Sequence, residues 1–197
     1  MNMASCLVVL LINQGLLQYG GDLAIGAYGI VNRLVFVMVM IVMGFNQAMQ
    51  PIAGYNYGAN QMDRVKHVLK LTVGAATIVT TTGFVVFVAF SESVVNLFTT
   101  DAELIGLSSK GLRTVCAVFP IVGMQMVVSN YFQSIGKPVK AIILSLSRQV
   151  LMLIPLLIIM PKFFGVAGVW WSMPVSDALS TILAVVLITR EMKSYRK

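Results

Sequence analysis

A chain of 197 residues that is 58% hydrophobic and only 11% charged, with a mean hydropathy of +0.88, is excluded from the water-soluble class. A soluble domain carries about 25% charged residues, and this chain has too few to face water over so much apolar surface. Its formal net charge of +7 reflects membrane topology and not nucleic-acid binding, because no basic patch interleaved with aromatics accompanies it.

A membrane helix needs about 20 largely apolar residues, and six such runs are predicted at 3–19, 23–49, 69–91, 112–134, 139–160 and 164–189. The first lacks the basic leader of a signal peptide and is read as a span cut short at its start. The second carries one charge, Arg33. On it Asn32, Phe36, Val39, Met43, Asn46 and Gln50 fall within about 40° of one line at 100° per residue. It is expected to stop near Met49, because Pro51, Gly54 and Gly58 follow. The third span contains "VGAATIVTTTGFVVFVAF", apolar on every side, which excludes the alternating strands of a membrane barrel.

The fourth span places Gln125, Ser129 and Gln133 four residues apart, with Asn130 alongside. The fifth and sixth hold one charge each, Arg148 and Asp177, and the sixth adds Ser172, Ser176 and Ser180. Three such stripes on three helices favour a wet cavity over interhelical glue. Pro120, Pro155 and Pro174 lie inside spans and favour kinks. Arg148 is about 13 Å from one face at 1.5 Å per residue, and Asp177 reaches a similar depth from the other. These helices are consecutive and antiparallel, so the two charges can pair, either as glue or as part of a working cycle. Arg33 has no second carboxylate at membrane depth; it snorkels, faces water or meets an acid on another polypeptide segment.

Connections on one side hold Arg64, Lys66, Lys70, Lys137, Lys140, Arg190, Lys193, Arg196 and Lys197; the other side holds Lys110, Arg113 and Lys162. The positive-inside rule puts the first set, and both termini, in the cytoplasm. Cys6 and Cys116 fall within spans and serve as small apolar residues. His67 is a solvated loop residue. The sequence offers no metal cluster, no phosphate-binding Gly-Lys loop and no Ser/His/Asp set, so no enzyme chemistry and no cofactor is expected.

"QPIAGYNYGA" with the following "RVK", then "FQSIGKP" at Phe132–Pro138, "SLSRQ" at Ser145–Gln149 and "FGVAGVWWSMPVSD" at Phe164–Asp177 resemble the C-terminal half of multidrug and toxic compound extrusion (MATE) transporters, in the bacterial DinF-like branch. The resemblance implies an all-α integral membrane bundle of six helices, one half of a twelve-helix transporter. Its partners would be the lipid bilayer, the matching N-terminal half and a cationic or amphipathic small molecule. Export would be driven by H+ or Na+ through alternating access in a bacterial inner membrane. The cavity lining expected here is Asn32, Met43, Asn46, Gln47, Gln125 and Ser129. Some branches carry carboxylates in the first and fourth helices of this half; Met3–Tyr19 and Thr114–Gly136 have none, which places the coupling-ion site in the absent half. The alternatives are a lipid-linked oligosaccharide flippase, disfavoured because only Arg33 and Arg148 could meet its phosphates, and an inactive fragment that packs against a partner.

Overall fold

The computed structural model describes residues 2–194; Arg196 and Lys197, counted above, lie outside the described residues. The elements are α1 (Asn2–Gly58), α2 (Met62–Ala89), α3 (Ser91–Asn96), α4 (Ala102–Cys116), α5 (Phe119–Ser134), α6 (Pro138–Leu146), a π-helical segment (Ser147–Leu153), α7 (Ile154–Phe164) and α8 (Val166–Ser194). There is no strand among the described residues. The all-α bundle expected from composition is what forms.

A straight helix as long as α1 would measure about 85 Å, nearly three hydrocarbon thicknesses. It is broken at Gly21, whose φ of 67° and ψ of −167° are not helical and suit glycine alone. The break leaves a first arm, 2–20, and a second arm, 22–58. Val8, Ile12 and Leu16 from the first join Ala24, Ala27, Val31 and Leu34 from the second in one core cluster, so the chain folds back on itself. Gly20 permits the close return: a Cβ there would lie 2.6 Å from Ala24 Cβ and 2.8 Å from a Val166 methyl.

Four helical runs are long and apolar enough to cross a membrane, Ser5–Gly58, Met62–Ala89, Pro138–Phe164 and Val166–Lys193, and α4 with α5 forms a fifth that bends by 55°. Because Ser5–Gly58 is two arms, the described residues hold six such helical runs. Apolar packing is divided into two clusters along it. One gathers Leu16, Val31, Val95, Leu112, Phe119 and Trp170. The other, at the end bearing Lys66, Lys137 and Lys140, gathers Val42, Met49, Val65, Tyr131, Phe132 and Leu144.

Several boundaries differ from expectation. The second span does not stop near Met49 but runs through Pro51 to Gly58. Gly54 is a contact residue and not a breaker, since a Cβ there would press within 3.0 Å of the Ser134 carbonyl. Termination comes later, at Asn60, which takes φ 55°. Asn60 N–H donates to the Tyr57 carbonyl (3.1 Å) and Gln61 N–H to the Asn56 carbonyl (2.9 Å), the paired bonds of a left-handed helix cap. The fourth span starts at Ala102 and not near residue 112, because Asp101 caps it by accepting from Glu103 N–H (2.9 Å) and Leu104 N–H (3.3 Å). Pro120 then splits this span, removing the N–H that would have reached back to Cys116. Pro174, in contrast, is accommodated inside a continuous α8.

Candidate functional site

The ion pair expected from matching depths is present: Arg148 Nε donates to Asp177 Oδ1 at 2.6 Å. The Asp177 side chain is 14% exposed and that of Arg148 34%. Arg148 sits on the π-helical segment, where the helix widens just ahead of Pro155, and Asp177 reaches it from α8. A proline removes the next N–H from the ladder, and π turns gather where backbone bonds are rearranged. The Arg148 carbonyl is satisfied from outside its own helix, by Ser176 Oγ at 2.8 Å. Ser5 Oγ donates to Gln149 Oε1 at 3.3 Å, so "SLSRQ" ties the first arm, the fifth span and α8 together.

The six residues expected to line a cavity do not share one wall. Asn32, Met43 and Gln47 are exposed on the second arm, and Ser129 is half-buried on α5. Asn46 and Gln125 are enclosed within this bundle, at 1% and 3% exposure. Asn46 belongs to the buried strip Val42, Asn46, Met49, Ala53 and Asn56, whose spacing of three and four turns one helix face inward. Gln125 sits likewise between buried Val122 and Val128. The serine stripe of α8 is also internal: Ser172 Oγ donates to the Gly168 carbonyl (2.7 Å), and Ser180 Oγ to that of Asp177 (3.1 Å). These two bonds lie within α8 itself, and of the three serines it is Ser176, through the Arg148 carbonyl, that bonds to another helix. Between the second arm and α5 one amide contact remains, Gln50 Nε2 to Asn130 Oδ1 at 3.1 Å.

The exposed strip therefore consists of Asn32, Arg33, Phe36, Met40, Met43 and Gln47. Phe36 and Met40 are 57% and 58% exposed. Among the described residues Arg33 makes no ion pair.

One cluster escaped the sequence reading. Glu191, in the tail counted among the basic connections, is 2% exposed. Its Oε1 accepts from Lys137 and its Oε2 from Lys140 at 2.5 Å. The Lys137 ammonium also lies 5.8 Å from the Tyr57 ring centroid and that of Lys140 5.5 Å from Phe132. The cluster thus joins the ends of the second arm, α5 and α8. Two lysines three apart in the first turn of α6 stand where the helix dipole disfavours cations, and this was the available signal that "GKPVK" requires an acid. Burial pushes the Lys137 ammonium down, but the hydrogen bond and charge of Glu191, helped by Tyr57, more than offset it, so its pKa is raised.

A raised lysine pKa contributes stability that is complete below the unfolded value of about 10.4 and fades as pH climbs through the folded value. The solubilised chain is accordingly expected to lose thermal stability above about pH 10.4. Glu191→Gln should start lower and show a shallower loss in that window. Parallel melting curves for parent and variant across pH 9–11 would refute the linkage.

Helical runs long and apolar enough to cross a membrane, packed into one bundle, define a polytopic membrane protein. Residues 1–159 match the family described as MatE, and the chain belongs to that family. It is 29% identical over 179 residues to the multidrug export protein MepA of Staphylococcus aureus (strain N315), covering 91% of this chain and 39% of that protein. Among solved structures it is similar to the MATE multidrug transporter DinF-BH, at 40% identity and a TM-score of 0.86, over 99% of this chain and 44% of that one. An outward-facing MATE transporter of the MOP superfamily, 19% identical, shares the fold at a TM-score of 0.90, over 98% of this chain and 44% of that one. The chain thus spans less than half the length of these proteins and matches their C-terminal half.

Proposed function

We propose that residues 1–197 form the C-terminal lobe of an antiporter that exports cationic or amphipathic compounds by alternating access, coupled to H+ or Na+. The observation that carries this reading is the exposed strip on the second arm. Arg33 stands about 18 Å along that arm from Gly21, and a lone cation at such depth costs roughly 2.5–3.5 kcal/mol in lipid. An opposing lobe that supplies water and an acid removes that cost. Phe36, Met40 and Met43 beside it offer the adaptable apolar surface that varied amphipathic ligands need. Transporters built from repeats place their sites between halves near the midplane, and this strip is where the N-terminal half would face. With no carboxylate in Met3–Tyr19 or Thr114–Gly136, the coupling ion is taken up by that other half. The basic end, bearing Lys66, Lys137 and Lys140, faces the cytoplasm of a bacterium.

The test uses cysteine accessibility in membranes containing both halves, after Cys6→Ala and Cys116→Ala. Asn32→Cys and Gln47→Cys should react with a water-soluble thiol reagent and be protected by a fluorescent dye cation, whereas Asn46→Cys stays inert. Dye export should require both halves. Unreactive cysteines at 32 and 47 together with unchanged export after Arg33→Leu would overturn the proposal.

A further inference from the structure

A second feature lies away from the exposed strip, between the start of α2 and the end of α8. Lys66, Leu69, Lys70, Thr189, Met192 and Lys193 line a cleft of about 400 Å³. Three ammonium groups converge there with no carboxylate in the lining. Of the three, Lys66 lies 3.7 Å from the fully exposed Asp63, Lys70 and Lys193 make no ion pair among the described residues, and Glu191 is held by Lys137 and Lys140. The cleft therefore keeps an excess of positive charge.

Its depth identifies the ligand. In α2 the charge-free run Leu71–Phe90 begins directly after Lys70, and in α8 residues 178–189 carry no charge before Arg190. Both helices change from apolar to basic at the level of this cleft, which is the level of lipid headgroups. Above it, one strip of α8 presents Ile182, Val185 and Val186 at 62%, 41% and 43% exposure, spaced to continue the line of Thr189 and Lys193. An acyl chain can lie along that strip while its phosphate meets the lysines. Leu69 and Met192 form an apolar floor suited to the glycerol region. Thr189 Oγ1 already donates to the Val185 carbonyl at 2.7 Å, which assigns donation to the phosphate to the lysines. Basic pockets between membrane helices at the headgroup level favour anionic lipid phosphates.

We propose that this cleft is a binding site for the phosphate headgroup of an anionic phospholipid. The site lies at headgroup depth whichever side of the membrane the basic end occupies, so it stands apart from the assignment of orientation.

The chain, purified from membranes in mild detergent, is titrated with phosphatidylglycerol, phosphatidylcholine and inorganic phosphate, and bound lipid is counted by native mass spectrometry. Phosphatidylglycerol should bind well ahead of phosphatidylcholine. Lys70→Gln/Lys193→Gln should weaken it roughly 30-fold, at the contribution expected for two interfacial lysines. The charge-matched Arg64→Gln/Arg190→Gln, which removes two basic residues outside the cleft, should retain the parent affinity. Equal loss in the two double variants would show a diffuse basic surface and overturn the site. So would displacement of the lipid by inorganic phosphate at comparable concentration, which would point to a soluble anion.

Discussion

Replacing Arg148 with Met is expected to destabilise the bundle by about 3 kcal/mol, near the lower end for breaking a buried pair. The lower end applies because a third of the Arg148 side chain remains exposed. The loss arises from Asp177, left nearly enclosed without its cation. Asp177→Leu alone should also be costly, because it strands the guanidinium at membrane depth. The double change Arg148→Met/Asp177→Leu removes both charges and should recover to within about 1 kcal/mol of the parent, as apolar replacements of buried pairs commonly do. Reversible unfolding in mixed micelles for all four chains gives the coupling energy directly. Strictly additive losses would show that the contact contributes nothing. A double variant that is stable but inactive in export would separate a role in the working cycle from simple adhesion.

The second large effect is expected at Gly168, where α8 leaves the tight turn after Gly165. A Cβ at Gly168 would fall 2.4 Å from the Met160 carbonyl oxygen and 2.5 Å from its carbon. These are backbone atoms of the preceding helix, so no flexible side chain can move aside. Gly168→Ala should cost at least the roughly 1–3 kcal/mol typical of overpacking, and Gly168→Val more. Gly165→Ala meets no neighbour but must hold φ near 56°, which costs a residue with a side chain about 1–2 kcal/mol. Gly106, inside α4 with open space around it, is the contrasting case: Gly106→Ala should be neutral or gain up to about 1 kcal/mol. Melting temperatures in one detergent rank the three. Equal melting temperatures for the Gly168 and Gly106 alanine variants would contradict the steric argument.

The fold class was legible because long apolar runs admit only helices in lipid, and the Arg148–Asp177 contact because depth along two consecutive antiparallel helices can be counted. What could not be read was anything decided by a neighbour. Gly54 looks like a breaker until the Ser134 carbonyl is seen against it. Pro51 is tolerated in a helix whose end is set nine residues later by Asn60. Asn46 lay within 40° of an exposed line, and that tolerance spans the difference between the surface and the strip of Val42, Met49 and Ala53. Glu191 was submerged in a run of basic tail residues, and only the packing of α6 against α8 reveals it as the most enclosed acid in the bundle among the described residues.

The uninterrupted second arm, 22–58, is about 55 Å long, so roughly 25 Å of it overhangs the hydrocarbon. That end is fixed to the lobe, with Met49 and Ala53 in the core cluster and Gly54 against the Ser134 carbonyl. A fluorophore attached at its tip, beside Asn60, would amplify any rocking of the lobe into a readable displacement, without touching a residue of the exposed strip.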